Sequence, residues 1–149
     1  MRTFATLACT LAALSQCAFA AFKEGTYTIG SAALDSQLLT DVAADEPVVF
    51  QDADGTPPQT WFFAPDQVVK DAFTITSTLG GSLNCGEAEG SVCVAGSNET
   101  QVYTPEKVSN TAYQLVSRDS GYFLRAENGQ LVVAGWDQTP EEEFILTQA

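Results

Sequence analysis

An aromatic triplet recurs three times along the chain at a nearly constant interval. Its copies are Gln59-Thr60-Trp61, Gln101-Val102-Tyr103 and Glu142-Glu143-Phe144, with aromatic residues 42 and 41 residues apart. A second aromatic series, Tyr27, Phe73 and Tyr113, has intervals of 46 and 40 residues. Two independent markers with nearly one period indicate a threefold repeat, with units at about residues 25–65, 71–105 and 111–148.

The first twenty residues are typical of a secretory signal peptide. Arg2 supplies a positive start, residues 3–14 are apolar or small, and Ala18-Phe19-Ala20 has small residues at both positions that cleavage requires. The segment is too short for a membrane-spanning helix, and no stop-transfer pattern follows it. We therefore expect residues 1–20 to be removed. The remaining residues 21–149 are expected to form one secreted domain, extracellular or associated with a cell wall.

The mature chain is strongly acidic. Removal of Arg2 with the signal leaves five basic and nineteen acidic residues, a net charge of −14. Nucleic acids and anionic membranes both need a basic binding surface, so we expect neither nucleic-acid binding nor membrane insertion. Self-repulsion that favours solubility accounts for such a charge, and attraction to a cationic partner is the alternative.

Two cysteines remain in the mature chain, and they predict a disulfide. Cys85 and Cys93 lie close together in sequence, and secreted chains fold in an oxidising compartment. A zinc site is the alternative, but the chain has no histidine to complete a tetrahedral ligand set. Asp52-Ala53-Asp54-Gly55 lacks the further oxygen ligands of a calcium loop and is interpreted as a turn. We expect no metal and no other cofactor.

Each unit contains four short runs rich in β-branched and aromatic residues and bounded by Gly, Pro, Asn or Asp. No stretch sustains a helical period over three turns. Twelve short strands in three units predict an all-β fold, a β-trefoil with pseudo-threefold symmetry, in which three hairpins cap a six-stranded barrel. The predicted strands are 26–29, 37–42, 47–52 and 60–63, then 72–76, 82–86, 91–95 and 101–104, then 112–117, 122–126, 130–135 and 143–147.

The recurring triplet also points to a family. Gln59-Thr60-Trp61 resembles the Q-x-W signature of the ricin B-type β-trefoil lectins, Gln101-Val102-Tyr103 is a near copy, and Glu142-Glu143-Phe144 has diverged. The resemblance extends over residues 21–149. It implies that Trp61, Tyr103 and Phe144 are core residues. It also implies that a sugar pocket would combine a carboxylate near the second strand, an aromatic platform after the third and an amide, because sugar rings offer C–H faces and paired hydroxyls.

The third unit meets this requirement best. Trp136-Asp137-Gln138 directly follows its third predicted strand, and Asn128 and Arg125 lie on the preceding hairpin. The sequence thus predicts a shallow carbohydrate site there. The alternative is structural: Trp136 covers the barrel end and Asp137 starts a turn into Pro140.

The first two units are poorer candidates. The carboxylate position after the second-strand leucine is occupied by Thr40, Asn84 and Arg125 in the three units, although Asp41 can serve if the first unit shifts by one residue. The first unit lacks an aromatic platform. In the second, Asn98-Glu99-Thr100 is an N-glycosylation sequon, and a glycan at Asn98 would obstruct a pocket.

Three functions remain open. A secreted, non-enzymatic carbohydrate-binding protein that recognises a cell-surface or wall glycan is favoured by the Q-x-W resemblance. A protease inhibitor is the second, because secreted β-trefoils include such inhibitors, and segments 52–58 or 64–71 would supply the loop. A structural cell-wall or surface protein without a ligand pocket is the third. No catalytic motif is present, and the chain lacks histidine, so an enzyme is not expected.

Overall fold

A computed structural model of the chain describes residues 22–97 and 100–149. The predicted signal peptide and Asn98 of the sequon lie outside the described residues. The first repeat contains β1 Gly25–Ser31, β2 Leu34–Thr40, β3 Val49–Asp52 and β4 Trp61–Pro65. The second contains β5 Phe73–Ser77, β6 Ser82–Asn84, β7 Val94–Gly96 and β8 Tyr103–Lys107. The third contains β9 Ala112–Ser117, β10 Phe123–Glu127, β11 Gln130–Ala134 and β12 Phe144–Gln148.

Six of these strands close into a barrel. The strand β1 pairs with β4 and with β12, β4 pairs with β5, and β5 pairs with β8. The ring is completed because β8 pairs with β9 and β9 pairs with β12. The other six strands form the hairpins β2–β3, β6–β7 and β10–β11. This arrangement confirms the all-β, β-trefoil prediction, and all twelve predicted strands coincide with observed ones to within a few residues.

The third strands of the first two repeats begin two or three residues later than predicted, at Val49 and Val94. The preceding residues pair with neighbouring repeats instead of with their own hairpin. The backbone N–H of Val48 donates to the carbonyl of Cys93 at 3.0 Å, and the N–H of Cys93 donates to the carbonyl of Leu131 at 2.8 Å. These bonds join the three hairpins to one another around the pseudo-threefold axis.

The aromatic residues of the recurring triplet form the centre of the core. Trp61, Tyr103 and Phe144 are each completely buried, which confirms their predicted role. Trp61 Nε1 donates to the carbonyl of Leu39 at 3.0 Å, and the Tyr103 hydroxyl donates to the carbonyl of Leu83 at 3.3 Å. Equivalent aromatic residues in the first two repeats therefore tie the barrel to the first strand of the hairpin in each of those repeats.

The second aromatic series, Tyr27, Phe73 and Tyr113, surrounds the end of the barrel that the hairpins do not cap. The ring of Phe22 lies 4.7 Å from Tyr27, 5.3 Å from Phe73 and 5.4 Å from Tyr113, measured between centroids. Phe22 therefore closes the barrel end with aromatic contacts to all three repeats. Such edge and tilted pairs add to the free energy gained by burying each ring.

Two local features stabilise the hairpins, and the first of them confirms the predicted disulfide. Cys85 and Cys93 are joined by a disulfide, and both side chains are buried. Asn128 and Gly129 have φ of 52° and 77° and connect the paired residues Glu127 and Gln130, as a tight hairpin turn requires. No helix within the described ranges is long and apolar enough to cross a membrane.

Candidate functional site

An open cavity of about 370 Å³ lies beside the hairpin of the third repeat. The strand β10, the β10–β11 turn and the loop between β11 and β12 supply its walls. Its lining is predominantly polar or charged and consists of Arg125, Ala126, Glu127, Asn128, Asp137, Thr139 and Glu141. The surface is concave and brings several polar groups together, as ligand sites do, but its lining is more polar than usual and its volume is near the lower end of the usual range.

The loop after β11 is organised by Asp137. Its Oδ1 accepts hydrogen bonds from the backbone N–H of Thr139 at 3.2 Å and from the Thr139 hydroxyl at 2.8 Å. Gln138 between them has φ of 60°. The 3₁₀ turn Pro140–Glu142 follows. The structural alternative for Asp137 is therefore observed, because this residue does start a turn into Pro140, and the same carboxylate also lines the cavity.

The first repeat contains the same loop. Asp54 Oδ1 accepts hydrogen bonds from the N–H of Thr56 at 2.9 Å and from its hydroxyl at 2.5 Å, and Gly55 between them has φ of 73°. These bonds lower the pKa of Asp54, with the Thr56 hydroxyl as the largest cause. The 3₁₀ turn Pro57–Gln59 follows here as well. This segment was interpreted as a turn, and the structure shows that it is an Asp-x-Thr-Pro turn.

Glu142 occupies the position that Gln59 occupies in the first repeat. Its side chain is completely buried, and its Oε1 accepts a hydrogen bond from the N–H of Asp137 at 3.0 Å. Gln59 Oε1 accepts the corresponding bond from the N–H of Asp54 at 2.9 Å. The two side chains differ in the second terminal atom. Gln59 Nε2 donates to the carbonyl of Asp52 and to the Thr40 hydroxyl, whereas Glu142 presents an oxygen.

Arg125 faces that oxygen from the position equivalent to Thr40. Its Nε lies 3.8 Å from Glu142 Oε2, its Nη2 contacts Asp137 Oδ2, and its Nη1 lies 3.9 Å from Glu127 Oε1. Burial raises the pKa of Glu142, and the Arg125 charge opposes that shift without cancelling it. Glu142 Oε2 and Arg125 Nε are both buried without a hydrogen-bond partner among the described residues. A buried ion pair thus replaces the neutral contact of the first repeat.

The predicted site residues fall into three groups. Asn128 and Asp137 line the cavity together. Trp136 and Gln138 lie on the same loop but do not belong to the lining. The Trp136 side chain is 56% exposed, and its ring lies 6.4 Å from that of Phe123. Asp41 lies apart in the first repeat, buried, with Oδ1 lacking a hydrogen-bond partner in the described part of the chain.

Sequence reasoning missed Glu142 and Thr139 as members of this site. A signal for them is present: Asp54-Gly55-Thr56-Pro57-Pro58-Gln59-Thr60-Trp61 and Asp137-Gln138-Thr139-Pro140-Glu141-Glu142-Glu143-Phe144 share Asp, Thr, Pro, an acid or amide, and an aromatic residue at the same spacing. Within residues 22–97 and 100–149, no three His, Cys, Asp or Glu side chains are grouped in a way that could hold a metal ion.

No family model matches the sequence, and no curated protein matches it. Solved structures do match. The Rhizoctonia solani agglutinin superposes with a TM-score of 0.76 at 11% identity, covering 87% of this chain and 98% of that one. The Macrolepiota procera ricin B-like lectin, solved with lactose, gives 0.70 at 15% identity, covering 86% and 99%. A proteinase inhibitor from Coprinopsis cinerea gives 0.70 at 14% identity, covering 87% and 100%. The chain therefore has the β-trefoil fold, which ricin B-like lectins and a proteinase inhibitor share.

Proposed function

We propose that this chain is a secreted, non-enzymatic carbohydrate-binding protein whose site is the cavity of the third repeat. The observation that carries the proposal is that cavity, which brings Asn128, Asp137 and Glu141 to one concave surface. Carboxylates accept hydrogen bonds from sugar hydroxyls, and an amide both donates and accepts them. The fold supports the same function class, since the M. procera relative is a lectin that was solved with lactose.

The loop that carries Asp137 is fixed before any ligand binds. Asp137 is held on one oxygen by Thr139 and on the other by Arg125, so its position does not have to be fixed when a ligand arrives. Preorganisation of this kind reduces the entropy lost on binding. Next to Asp137, Trp136 and the half-buried Phe123 offer an aromatic surface for the apolar face of a sugar.

The test is a glycan-array screen of the mature protein with two site variants. Asn128→Gly removes the amide at a position where φ is positive, so glycine maintains the turn without strain. Trp136→Ala removes the exposed aromatic ring. Ser36→Gly is the matched control, because Ser36 is also exposed, has φ of 60° and lies in the first repeat. We expect selective binding that Asn128→Gly and Trp136→Ala weaken and that Ser36→Gly leaves unchanged.

The results of the screen distinguish an error in the location of the site from an error in the proposed function. Unchanged binding by both site variants would move the site away from the third repeat. Absence of binding by the wild-type protein across the array would overturn the carbohydrate proposal. Recovery of the native protein from a wall fraction without any glycan binding would then favour the structural role.

Protease inhibition is a second candidate because of one exposed loop. Val68, between β4 and β5, is 90% exposed. The Asp66 carboxylate fixes the loop by accepting hydrogen bonds from the N–H groups of Val68 at 2.9 Å and Val69 at 2.6 Å. An apolar side chain on an ordered loop is suited to an apolar protease subsite, and a relative of this fold is a proteinase inhibitor. Inhibition across a serine and cysteine protease panel, abolished by Val68→Asp, is the expected result, and no inhibition by the wild type would exclude it.

A further inference from the structure

The hairpin turn beside the cavity brings two groups that can react with each other into adjacent positions. The exposed side-chain amide of Asn128 forms no hydrogen bond within residues 22–97 and 100–149, and neither does the backbone N–H of Gly129. A Cβ atom added to Gly129 would meet nothing within 4 Å. The amide carbon of Asn128 and the nitrogen of Gly129 are therefore neighbours that are neither bonded elsewhere nor crowded by a side chain.

The turn differs in this respect from the other asparagines that the structure describes. The backbone N–H that follows Asn84 is buried and donates to Gln101 Oε1 at 2.7 Å. The N–H that follows Asn110 donates to Ser109 Oγ at 3.3 Å and belongs to a β-branched threonine, whose side chain crowds the nitrogen. Asparagine is among the thermolabile residues, and of these three side chains Asn128 is the one with an accessible neighbouring nitrogen.

We infer that Asn128 deamidates spontaneously through a cyclic imide with Gly129, and that the product inactivates the proposed sugar site. The Gly129 nitrogen loses its proton to the solvent and attacks the side-chain carbonyl carbon of Asn128. A new C–N bond closes a five-membered ring, and the amide nitrogen leaves as ammonia. Water then opens the ring at either carbonyl. Opening at the side-chain carbonyl gives aspartate, and opening at the main-chain carbonyl gives isoaspartate.

The conversion removes a hydrogen-bond donor from the cavity. In the lining, the Arg125 guanidinium is directed at carboxylates and the Thr139 hydroxyl donates to Asp137, whereas the amide of Asn128 has free N–H groups. A carboxylate in its place only accepts hydrogen bonds, and it adds a negative charge next to Glu127. This effect on binding rests on the proposed carbohydrate function, whereas the reaction itself does not.

Isoaspartate also changes the backbone of the turn. It lengthens the main chain by one carbon between the paired residues Glu127 and Gln130, which a tight two-residue turn joins. The Gly129 carbonyl in this turn accepts a 2.8 Å hydrogen bond from the N–H of Phe50 in the first repeat. A longer turn displaces that carbonyl, so we expect isoaspartate to alter the shape of the cavity as well as its charge.

The test is to incubate the mature protein in warm, mildly alkaline buffer and to digest samples with trypsin at intervals. Cleavage after Lys107, Arg118 and Arg125 places Asn110 and Asn128 in separate peptides, 108–118 and 126–149, each with a single asparagine. Mass spectrometry measures the conversion of amide to acid, and labelling by an isoaspartyl methyltransferase identifies isoaspartate. We expect Asn128 to convert at least about tenfold faster than Asn110, because a hydrogen bond and a branched side chain both raise the barrier at the latter.

The Asn128→Gln variant is the control for the chemistry. It keeps an amide at the turn but would have to close a six-membered ring, so peptide 126–149 of this variant is expected to stay unconverted. Conversion of Asn128 no faster than that of Asn110, or equal conversion in Asn128→Gln, would overturn the inference.

The effect on binding is measured on the same incubated samples with a glycan that the fresh protein binds. We expect binding to fall in proportion to the converted fraction of Asn128, and Asn128→Asp to show the same loss without incubation. Conversion with full retention of binding would overturn the inactivation. Absence of glycan binding by the fresh protein would refute the proposed function instead, and the peptide measurement would still decide whether Asn128 deamidates.

Discussion

The first and third repeats share one loop conformation but stabilise it with different polar groups, a neutral pair in the first and a charged pair in the third. Both have an Asp-x-Thr-Pro turn whose backbone N–H bonds to a buried side chain five residues later. In the first repeat that side chain is Gln59 and its partner is the Thr40 hydroxyl, and in the third they are Glu142 and Arg125. Because a buried carboxylate without a cation is strongly unfavourable, the two positions of each pair are expected to change together.

The second repeat has a third solution at the same place. Gln101 Oε1 accepts a hydrogen bond from the N–H of Cys85 at 2.7 Å and another from the Tyr103 hydroxyl at 3.0 Å. The Cys85 side chain is bonded to Cys93. Three equivalent positions are thus stabilised by a neutral network, a disulfide-linked network and an ion pair. Of these three, the Arg125–Glu142 ion pair is the one beside the third-repeat cavity. The change from a neutral pair to an ion pair therefore coincides with the proposed binding site.

Breaking the ionic pair should have the largest effect on stability. Arg125→Thr copies Thr40 but leaves Glu142 buried without its cation, and we expect a loss of about 3 kcal/mol in the free energy of unfolding. The double variant Arg125→Thr/Glu142→Gln copies the whole first-repeat pair and should recover most of that loss. Urea denaturation at neutral pH measures both variants.

Thr40→Ala is the control for this cycle. It removes two neutral hydrogen bonds, one of 3.2 Å from Gln59 and one of 2.9 Å to the Leu38 carbonyl, and should cost about 1–2 kcal/mol. If the double variant is as unstable as Arg125→Thr alone, the two positions are not coupled and the proposed equivalence of the repeats is wrong.

Removing the disulfide should have the next largest effect. Cys85→Ala/Cys93→Ala releases the hairpin of the second repeat, and the chain-entropy estimate for so small a loop predicts a loss of about 2–3 kcal/mol. Thermal unfolding of the variant measures it, with the reduced wild-type protein as the control for lost side-chain volume. A change close to zero in both samples would show that the cross-strand bonds of this hairpin suffice without the covalent link.

The sequence predicted the architecture because the repeat is carried by buried residues. Trp61, Tyr103 and Phe144 recur because the same core position is filled three times, and the resemblance to the Q-x-W signature implied their burial. The start of the third strands was not predictable from local pattern, because residues such as Val48 and Cys93 bond to neighbouring repeats. These contacts join residues that are distant in sequence, so the composition around each residue does not predict them.

The site was predicted only in part for a related reason. Asn128 and Asp137 are polar residues in turns, so their exposure was predictable from the sequence. By composition, the run Glu141-Glu142-Glu143 indicates a solvated entry to the last strand, but Glu142 is completely buried. Its burial follows from its place in the repeat, two residues before the core aromatic Phe144, and the general rule that acids are exposed fails at that position. Comparing repeats position by position is therefore more informative than composition.

The core aromatic residues extend the comparison between repeats on a smaller scale. Tyr103→Phe removes the hydroxyl bonds to the Leu83 carbonyl and to Gln101, and makes the second repeat resemble the third, where Phe144 stands. We expect a loss of about 1–2 kcal/mol, since a buried carbonyl loses its partner while the ring remains packed. Urea denaturation measures the change. The Phe62→Leu variant, at a partly exposed barrel position, is the control and should change stability less.

The smallest effect concerns pH and tests the balance of forces at Glu142. Burial raises the pKa of this carboxyl in the folded protein above its value in the unfolded chain, so the folded state binds the proton more tightly. Stability contributed by Glu142 should therefore rise as pH falls through the raised pKa, and it should be lost again as pH rises. Glu142→Gln removes this titration. Melting temperatures measured from pH 7 to pH 4 should show the wild type gaining stability relative to Glu142→Gln, while Glu106→Gln, at an exposed position, follows the wild type. The opposite trend would mean that the Arg125 charge outweighs burial in setting the pKa of Glu142. The ion pair would then stabilise the third repeat, as the Gln59 amide stabilises the first.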